Sequence, residues 1–155
     1  MTEQNEKEIR EYLRKAIERK MSESDEAYYA LYGFLLKKFF YNVGSDSELV
    51  EQLVNRLVNA NIAVCRTFVE TFFEDDDDFN LKLCDTCGEW MLEGYYLAGD
   101  YACCEDCAIQ NYMNSSYNHS DDGKVTREKA EELFRKDLDL DEQYNLGQVY
   151  YTDWR

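Results

Sequence analysis

The chain has 155 residues, of which 45% are hydrophobic and 15% aromatic, so it can bury a core and is not a disordered acidic tail. Its 33 acidic residues against 17 Lys and Arg give a formal net charge of -16, which disfavours direct binding to a phosphate backbone, since that binding requires cations. The longest apolar stretch, residues 27–36, is shorter than the roughly 20 residues of a membrane-spanning helix, so no such segment is predicted.

The first helical patterns lie near the start of the chain. Apolar residues recur every three or four positions over residues 3–20 and predict an amphipathic helix. A second helix is predicted over residues 25–41, with Ser22 or Ser24 as its N-cap. The apolar residues of this second helix spread around most of its circumference. Such a helix is either buried centrally or pairs with a partner, and a homodimer through it is one arrangement that we consider.

Two further helical patterns follow. Ser45-x-x-Glu48 has the form of a capping box at the start of a third helix. After residue 61 the pattern resumes, either as a fourth helix or as a bent continuation of the third. Cys65 lies on its apolar side and is expected to be a small buried core residue. We therefore expect residues 1–74 to form a helical bundle.

The bundle is followed by five consecutive acidic residues: Glu74, Asp75, Asp76, Asp77 and Asp78. One interpretation is a solvated linker over residues 75–80, whose like charges repel one another. The other is an acidic patch that contacts a basic surface of a partner. A calcium site is disfavoured, because a bare run of carboxylates lacks the spacing and the glycine turn of an organised calcium loop.

Most of the cysteines lie close together in the second half of the chain. Cys84 and Cys87 are followed by a glycine and have the form of a zinc knuckle, in which the tight turn points backbone N–H groups at the sulfurs. Cys107 forms the second pair with either Cys103 or Cys104, since both spacings suit a tetrahedral site. Disulfides are the alternative, but a chain without a signal peptide is expected in the cytoplasm, where thiols stay reduced. The sequence therefore predicts a four-cysteine zinc site.

The zinc module is expected to contain a hairpin and two helices. Short apolar segments at residues 90–92 and 95–97 could pair as a β-hairpin between the two cysteine pairs. A short helix is predicted after Cys107, and a second helix, capped by Thr126, is predicted to run to about Asp137. The aromatic C-terminal tail is expected to pack on the rest of the module.

Residues 118–129 have part of the pattern of a calcium loop. Asn118 and Lys129 occupy the first and last ligand positions, however, where carboxylates are needed. The single histidine, His119, is expected in solvent and not at the metal, because five cysteines lie nearby. A turn is the simpler interpretation of this segment.

Further motifs surround the cysteines: C-x2-C-G begins at Cys84, M-x-E-G-Y at Met91 and Y-x-C-x3-C at Tyr101, and an aromatic-Thr-acid-Trp sequence occupies residues 151–154. This set resembles a class of small zinc-binding proteins carried by bacteriophages and conjugative elements. The resemblance covers residues 83–112 and the last few residues, which is less than half of the chain.

The resemblance implies a mobile-element origin, a treble-clef or ribbon-like metal fold, and no settled activity. It implies Cys103 as the zinc ligand, with Cys104 at a position usually held by serine. The expected fold is therefore mainly α. A helical bundle at residues 1–74 and an acidic linker at 75–80 precede a zinc-knuckle module at 81–155 with a short β-hairpin and a C-terminal helix.

The predicted function is a non-enzymatic inhibitor. A four-cysteine zinc leaves no open coordination position, and one histidine supplies no Ser–His or Cys–His set. Strong acidity and the mobile-element resemblance favour a cytoplasmic protein that blocks the nucleic-acid channel of a host defence nuclease, of the anti-CRISPR or anti-restriction type. The alternative is a zinc-stabilised adapter that binds a polymerase or transcription factor through an apolar face of the second helix. The acidic residues expected to contact the nuclease are Glu74, Asp75, Asp76, Asp77, Asp78, Asp85, Glu89, Glu93 and Asp100.

Overall fold

The computed structural model describes residues 2–114 and 125–155, and it divides into two compact units, residues 1–81 and 82–155. Over these described residues the protein is mainly helical, with short strands confined to the cysteine-rich unit, so the predicted fold class is confirmed. The acidic segment 75–80, expected as a linker, belongs to the first unit. His119 and most of the segment considered as a calcium loop lie outside the described residues. None of the helices within the described ranges combines the length and apolarity that crossing a membrane requires.

The helices of the first unit begin where capping side chains predict. Ser24, and not Ser22, caps the second helix, and Ser45 caps the third by accepting from the backbone N–H of Glu48 at 3.3 Å. Residue 60 is extended and Asn61 caps a new helix, so the fourth helix is separate from the third. In chain order the helices are α1 (Glu3–Glu23), α2 (Asp25–Phe39), α3 (Asp46–Asn59) and α4 (Ile62–Phe72).

The core of the first unit combines aliphatic and aromatic layers. Phe34 of α2 packs edge-on against Phe68 and Phe72 of α4, with ring centroids 5.3 and 5.8 Å apart. Cys65 is fully buried, and its thiol donates to the backbone oxygen of Leu57 at 3.3 Å, so the predicted core role is confirmed. The fully buried aliphatic side chains of α1, α2 and α3 include Leu13, Ile17, Leu31, Leu35, Leu49, Leu53 and Leu57.

The second unit combines two small antiparallel sheets with two helices over its described residues. One sheet pairs β1 with β2, and the other has the order β4-β3-β5. The aromatic tail packs on the unit as predicted, and it does so as the strand β5. The elements are β1 (Lys82–Leu83), β2 (Trp90–Met91), β3 (Glu93–Leu97), β4 (Asp100–Ala102), α5 (Glu105–Asn114), α6 (Arg127–Tyr144) and β5 (Val149–Asp153).

The predicted hairpin between residues 90–92 and 95–97 is wrong. β2 pairs with β1, which precedes the knuckle, and β3 pairs with β4. Only Leu92 separates β2 from β3, which is too short for a hairpin turn of two residues. The actual hairpin turns at Ala98 and Gly99, both of which have positive φ, 50° and 111°, as a tight hairpin turn requires.

The two helices of the second unit cover one face of the larger sheet. Phe134 of α6 lies between Tyr95 of β3 and Tyr112 of α5, with ring centroids at 5.3 and 5.6 Å. The hydroxyl of Tyr112 donates to the carboxylate of Asp137 at 2.7 Å. These contacts hold α5 against α6 and thereby fix the helix whose first turn carries Cys107.

Candidate metal centre

The first cysteine pair lies on a tight turn between β1 and β2. The backbone N–H of Cys84 donates to the carbonyl of Glu89, and the N–H of Gly88 donates to the carbonyl of Cys84, both at 2.9 Å. Gly88 has a φ of 81°, which glycine adopts without strain. The N–H of Cys87 points at the sulfur of Cys84 at 3.5 Å. This is the knuckle geometry that the sequence predicts.

The second cysteine pair is positioned by the junction of β4 and α5. Cys103 follows the last residue of β4, and Cys107 lies in the first turn of α5. Cys104 directly precedes α5, and its sulfur accepts from the N–H of Cys107 at 3.5 Å, as the side chain of an N-cap residue does. Cys104 is exposed and does not belong to the group of clustered thiols. The sequence alone left Cys103 and Cys104 open as alternatives.

The sulfurs of Cys84, Cys87, Cys103 and Cys107 all lie within 4.8 Å of one another and could hold a metal ion. The sulfur of Cys103 is 3.6 Å from that of Cys87 and 3.8 Å from that of Cys107. A tetrahedron with metal–sulfur bonds of about 2.3 Å has sulfur–sulfur edges of about 3.8 Å. The spacing therefore suits one metal ion.

Hydrogen bonds of the protein itself bring the two cysteine pairs together. The N–H of Asp85 donates to the carbonyl of Tyr101 at 2.8 Å, and the N–H of Tyr101 donates to the Asp85 carboxylate at 2.7 Å. The hydroxyl of Thr86 donates to the carbonyl of Cys107 at 3.2 Å. The knuckle is thus joined both to β4 and to the start of α5. Asp85, which the sequence predicted as a partner contact, is half-buried and has this internal role.

Of the clustered cysteines, Cys84 is the one whose thiolate form is favoured by its surroundings. The pKa of Cys84 is lowered, first because the Cys103 thiol donates a hydrogen bond to it and then because backbone N–H groups also point at its sulfur. The same hydrogen bond raises the pKa of Cys103, and burial raises the pKa of Cys107. A bound cation would remove the repulsion that opposes further thiolates, so metal binding at this site must release protons.

The acidic run of the first unit is fixed at its centre by an ion pair. The carboxylate of Asp76 lies 2.7 Å from the guanidinium of Arg19 and 3.9 Å from the ammonium of Lys20, and its side chain is only 12% exposed. The hydrogen bond from Arg19 lowers the pKa of Asp76. The sequence predicted Asp76 as a contact with a partner, but in the structure its carboxylate is paired within the unit.

The ends of the acidic run are fixed as well. The hydroxyl of Tyr12 donates to the carbonyl of Asp78 at 3.0 Å and accepts from the N–H of Asn80 at 2.6 Å. Phe73 and Phe79, on either side of the run, stack with their ring centroids 4.3 Å apart. The run is thus an ordered turn, and the structure leaves its other acidic residues exposed: Glu74, Asp75, Asp77 and Asp78. Sequence reasoning missed the role of Tyr12, although the flanking phenylalanines were a visible signal.

The remaining predicted contact residues lie in the second unit and are dispersed. Asp100 accepts from the side-chain amide of Asn111 at 3.0 Å. Glu93 is half-buried and lies 4.0 Å from the guanidinium of Arg155. Glu89 is exposed beside the knuckle. In the sequence the predicted carboxylates of this unit are four to seven residues apart, unlike the consecutive acidic residues 74–78.

Two features can carry a functional interpretation: the four-cysteine group of the second unit and the ordered acidic turn of the first. The first could hold a metal ion, and the second presents a concentration of negative charge in a fixed geometry. The sequence matches no protein-family model and no curated protein, and the structure matches no solved structure.

Proposed function

We propose that this protein is a non-enzymatic, zinc-stabilised inhibitor that binds the Lys- and Arg-lined nucleic-acid channel of a host defence complex, of the anti-CRISPR or anti-restriction type. The observation that carries the proposal is the ordered acidic turn of residues 74–78. Its four exposed carboxylates lie on either side of Asp76, in a turn that is held by Tyr12 through the carbonyl of Asp78 and by Arg19 through the carboxylate of Asp76. Carboxylates in a fixed arrangement can engage cations that otherwise hold phosphates.

Zinc is the metal that we propose for the four-cysteine group. A tetrahedral set of four sulfurs is typical of zinc or iron and excludes magnesium and calcium, which take oxygen ligands. With four protein ligands the coordination sphere is closed, which supports a structural role for the metal. Metal analysis of the purified protein by mass spectrometry should give one zinc per chain. A coloured protein containing iron would contradict this assignment.

The overall charge supports an interaction with a basic partner. Residues 82–155 contain 7 Lys and Arg against 16 Asp and Glu, and no cation occurs between Leu83 and Gly123. A zinc ion bound by four thiolates adds about two further negative charges. Such a surface repels nucleic acid and attracts the channel that binds it, at a rate that falls with ionic strength. The resemblance of the cysteine motifs to proteins of mobile elements adds to the proposal, since such elements must counter host defences.

The experiment is a capture of host proteins by two variants with equal changes of charge. One variant carries Glu74→Gln, Asp75→Asn, Asp77→Asn and Asp78→Asn and keeps Asp76, so the ion pair with Arg19 remains. The control neutralises four exposed acids of α6, with the substitutions Glu128→Gln, Glu132→Gln, Asp139→Asn and Glu142→Gln.

We expect the unchanged protein and the control to capture a nucleic-acid-binding nuclease that elutes between about 0.1 and about 0.5 M salt. The variant of the acidic turn should retain at most about a tenth of that capture, since paired charges at an interface contribute more than dispersed ones. Equal capture by the two variants, or a partner that resists salt, would contradict the proposal.

A second candidate function is an adapter that binds a polymerase or transcription factor through an apolar face of α2. The observation that favours it is the exposure of Tyr29, Leu36 and Phe40 on or next to that helix. Binding through this face would change little with salt, and the acidic-turn variant would bind as well as the unchanged protein.

A further inference from the structure

An apolar stripe on α2 lies exposed on the first unit. Tyr29 is 69% exposed, Leu36 is 43% exposed, and Phe40, which directly follows the helix, is 89% exposed. The spacing of seven residues places Tyr29 and Leu36 on one side of the helix, opposite the buried side chains of Leu31 and Leu35, and Phe40 follows at the C-terminal end of the helix. Three large apolar side chains exposed within residues 29–40 are more than the scattered exposure that is normal for a protein surface.

The backbone at Phe40 is unfavourable for a phenylalanine, which points to a contact made by its side chain. Phe40 ends the helix in the left-handed conformation, with φ 55° and ψ 35°. Glycine or asparagine usually occupies this position, because a bulky side chain is disfavoured there. A phenylalanine that is almost fully exposed gains little from the fold in return. A contact outside the unit accounts for it.

Gly33 forms a notch in the same stripe. A Cβ atom added to Gly33 would meet no atom within 4 Å, so packing within the chain does not require a glycine there. Glycine in the middle of a helix is unfavourable relative to alanine. Its effect is to leave a shallow gap between Tyr29 and Leu36, and such a gap lets the backbone of a second helix approach closely.

We propose that a second copy of this chain occupies the stripe, with α2 packed antiparallel against α2 of the partner copy in a two-fold symmetric dimer. Along the helix axis, Tyr29 and Leu36 lie at equal distances on either side of a point between Tyr32 and Gly33. A two-fold axis through that point places Tyr29 of each copy against Leu36 of the other and brings the notch close to the axis. The face is thus self-complementary, as a two-fold interface must be.

Charge favours the antiparallel orientation. Glu26 in the first turn and Lys37 in the last turn of α2 lie on the same side of the stripe, at about 60° and 80° from Tyr29 around the helix axis. In an antiparallel pair, Glu26 of one copy therefore lies beside Lys37 of the other, within about two residues along the axis. A parallel pair would bring the acidic ends of the two helices together. An antiparallel pair also opposes the two helix dipoles.

The size of the stripe predicts a weak dimer. With about 200 Å² for a fully exposed aromatic side chain, the three exposed side chains offer about 400 Å² per copy. The total of about 800 Å² lies below the roughly 1,000 Å² of a stable interface, so we expect a weak, transient dimer with a dissociation constant on the order of 10 μM. This inference does not depend on the proposed function. It does count against the adapter hypothesis, because a dimer covers the face that the adapter would use.

The test measures the mass of the full metal-loaded chain by sedimentation velocity between about 1 and about 200 μM. We expect the average mass to rise from 18.4 kDa toward twice that value. Phe40→Asn removes the ring and places a residue that tolerates the left-handed backbone, so it should keep the fold and remain monomeric. Tyr144→Asn, which removes a tyrosine that is 61% exposed in the second unit, is the control and should dimerise normally.

The orientation is tested separately by exchanging charges. Glu26→Lys should weaken the dimer at least tenfold, and the double variant with Lys37→Glu should restore it, because only an antiparallel pair brings these two positions together. Failure of the double variant to restore the dimer overturns the antiparallel arrangement. A monomer at every concentration, or a Phe40→Asn variant that dimerises like the unchanged chain, overturns the dimer and returns the face to the adapter hypothesis.

Discussion

Adjacent cysteines offer a sharp test of the metal site. Cys103→Ser removes a sulfur that lies 3.6 Å from that of Cys87 and 3.8 Å from that of Cys107. Cys104→Ser makes the same chemical change one residue later, at a sulfur that is exposed and outside the group. Because the two substitutions are chemically identical and adjacent, a difference in zinc affinity between the two variants reports on which sulfur binds the metal.

The expected magnitudes follow from the geometry. Structural zinc sites bind with about 10 to 16 kcal/mol, so the loss of one of four thiolates should weaken binding by about 3 kcal/mol, or more than 100-fold. At Cys104 the sulfur accepts from the N–H of Cys107 in the manner of an N-cap, and serine is a preferred N-cap residue. Cys104→Ser should therefore leave zinc affinity unchanged and alter the free energy of unfolding by less than about 0.5 kcal/mol.

The assay is a zinc titration of both variants in competition with a chromophoric chelator, followed by unfolding in urea. We expect Cys104→Ser to bind one zinc with the affinity of the unchanged protein and Cys103→Ser to lose the metal to the chelator. Equal loss of zinc in the two variants, or full retention in Cys103→Ser, would refute the assignment of the four ligands.

Three further predictions concern stability. Removing zinc with a chelator, or lowering the pH until the thiolates are protonated, should unfold residues 82–155 and leave the helical signal of the first unit, as measured by circular dichroism. Asp76→Asn should lower the free energy of unfolding by about 1 kcal/mol at pH 7. The hydrogen bond from Arg19 lowers the pKa of Asp76 in the folded protein, so the carboxylate stabilises the fold at pH values above the pKa of Asp76 in the unfolded chain. This contribution is lost as the pH falls through the pKa of Asp76 in the folded protein. Gly94→Ala should cost about 2 kcal/mol in urea unfolding, because its Cβ would lie 2.6 Å from the carbonyl oxygen of Ala102.

Matched controls separate these effects from general damage. Asp77→Asn alters an exposed neighbour of Asp76 and should change the stability little at any pH. Gly44→Ala adds a Cβ that would meet only a Glu48 side-chain oxygen, at 3.8 Å, and should not destabilise. If Asp76→Asn were equally destabilising at pH 7 and pH 3, the ion pair with Arg19 would not be the cause. If Gly94→Ala were as stable as Gly44→Ala, the close approach of Gly94 in β3 to the carbonyl oxygen of Ala102 in β4 would be contradicted.

Local signals predicted the helices and the cysteine pairs well. Helix caps such as Ser45 and Thr126 act within one turn, and the tight turn at Gly88 acts within a few residues, so each can be predicted from a short stretch of sequence. The spacing of the cysteines restricted the metal ligands to two alternatives. In the structure Cys103, and not Cys104, lies in the group of clustered thiols, at the junction of β4 and α5.

Interactions between distant residues escaped prediction. The strand partners of β2 and β3 depend on how the knuckle and the C-terminal tail fold back, which no local pattern reports. Likewise, the acidic run looked like a free linker because the residues that hold it, Tyr12 and Arg19, lie 66 and 57 residues before their partners Asp78 and Asp76. The charge of the run was evident, and its ordered geometry was not.

The pairing of β3 with β5 has a consequence for the order of folding. Leu97 pairs with Val149, so the larger sheet closes a loop of about fifty residues, whereas all four clustered cysteines lie within one short segment. Short loops close much faster than long ones, so the zinc ion that we propose would bind before β5 reaches its place. The metal would then act as a nucleus on which the sheet is completed. In stopped-flow refolding we expect zinc to accelerate formation of the second unit, and a refolding rate independent of zinc would show that the sheet forms without it.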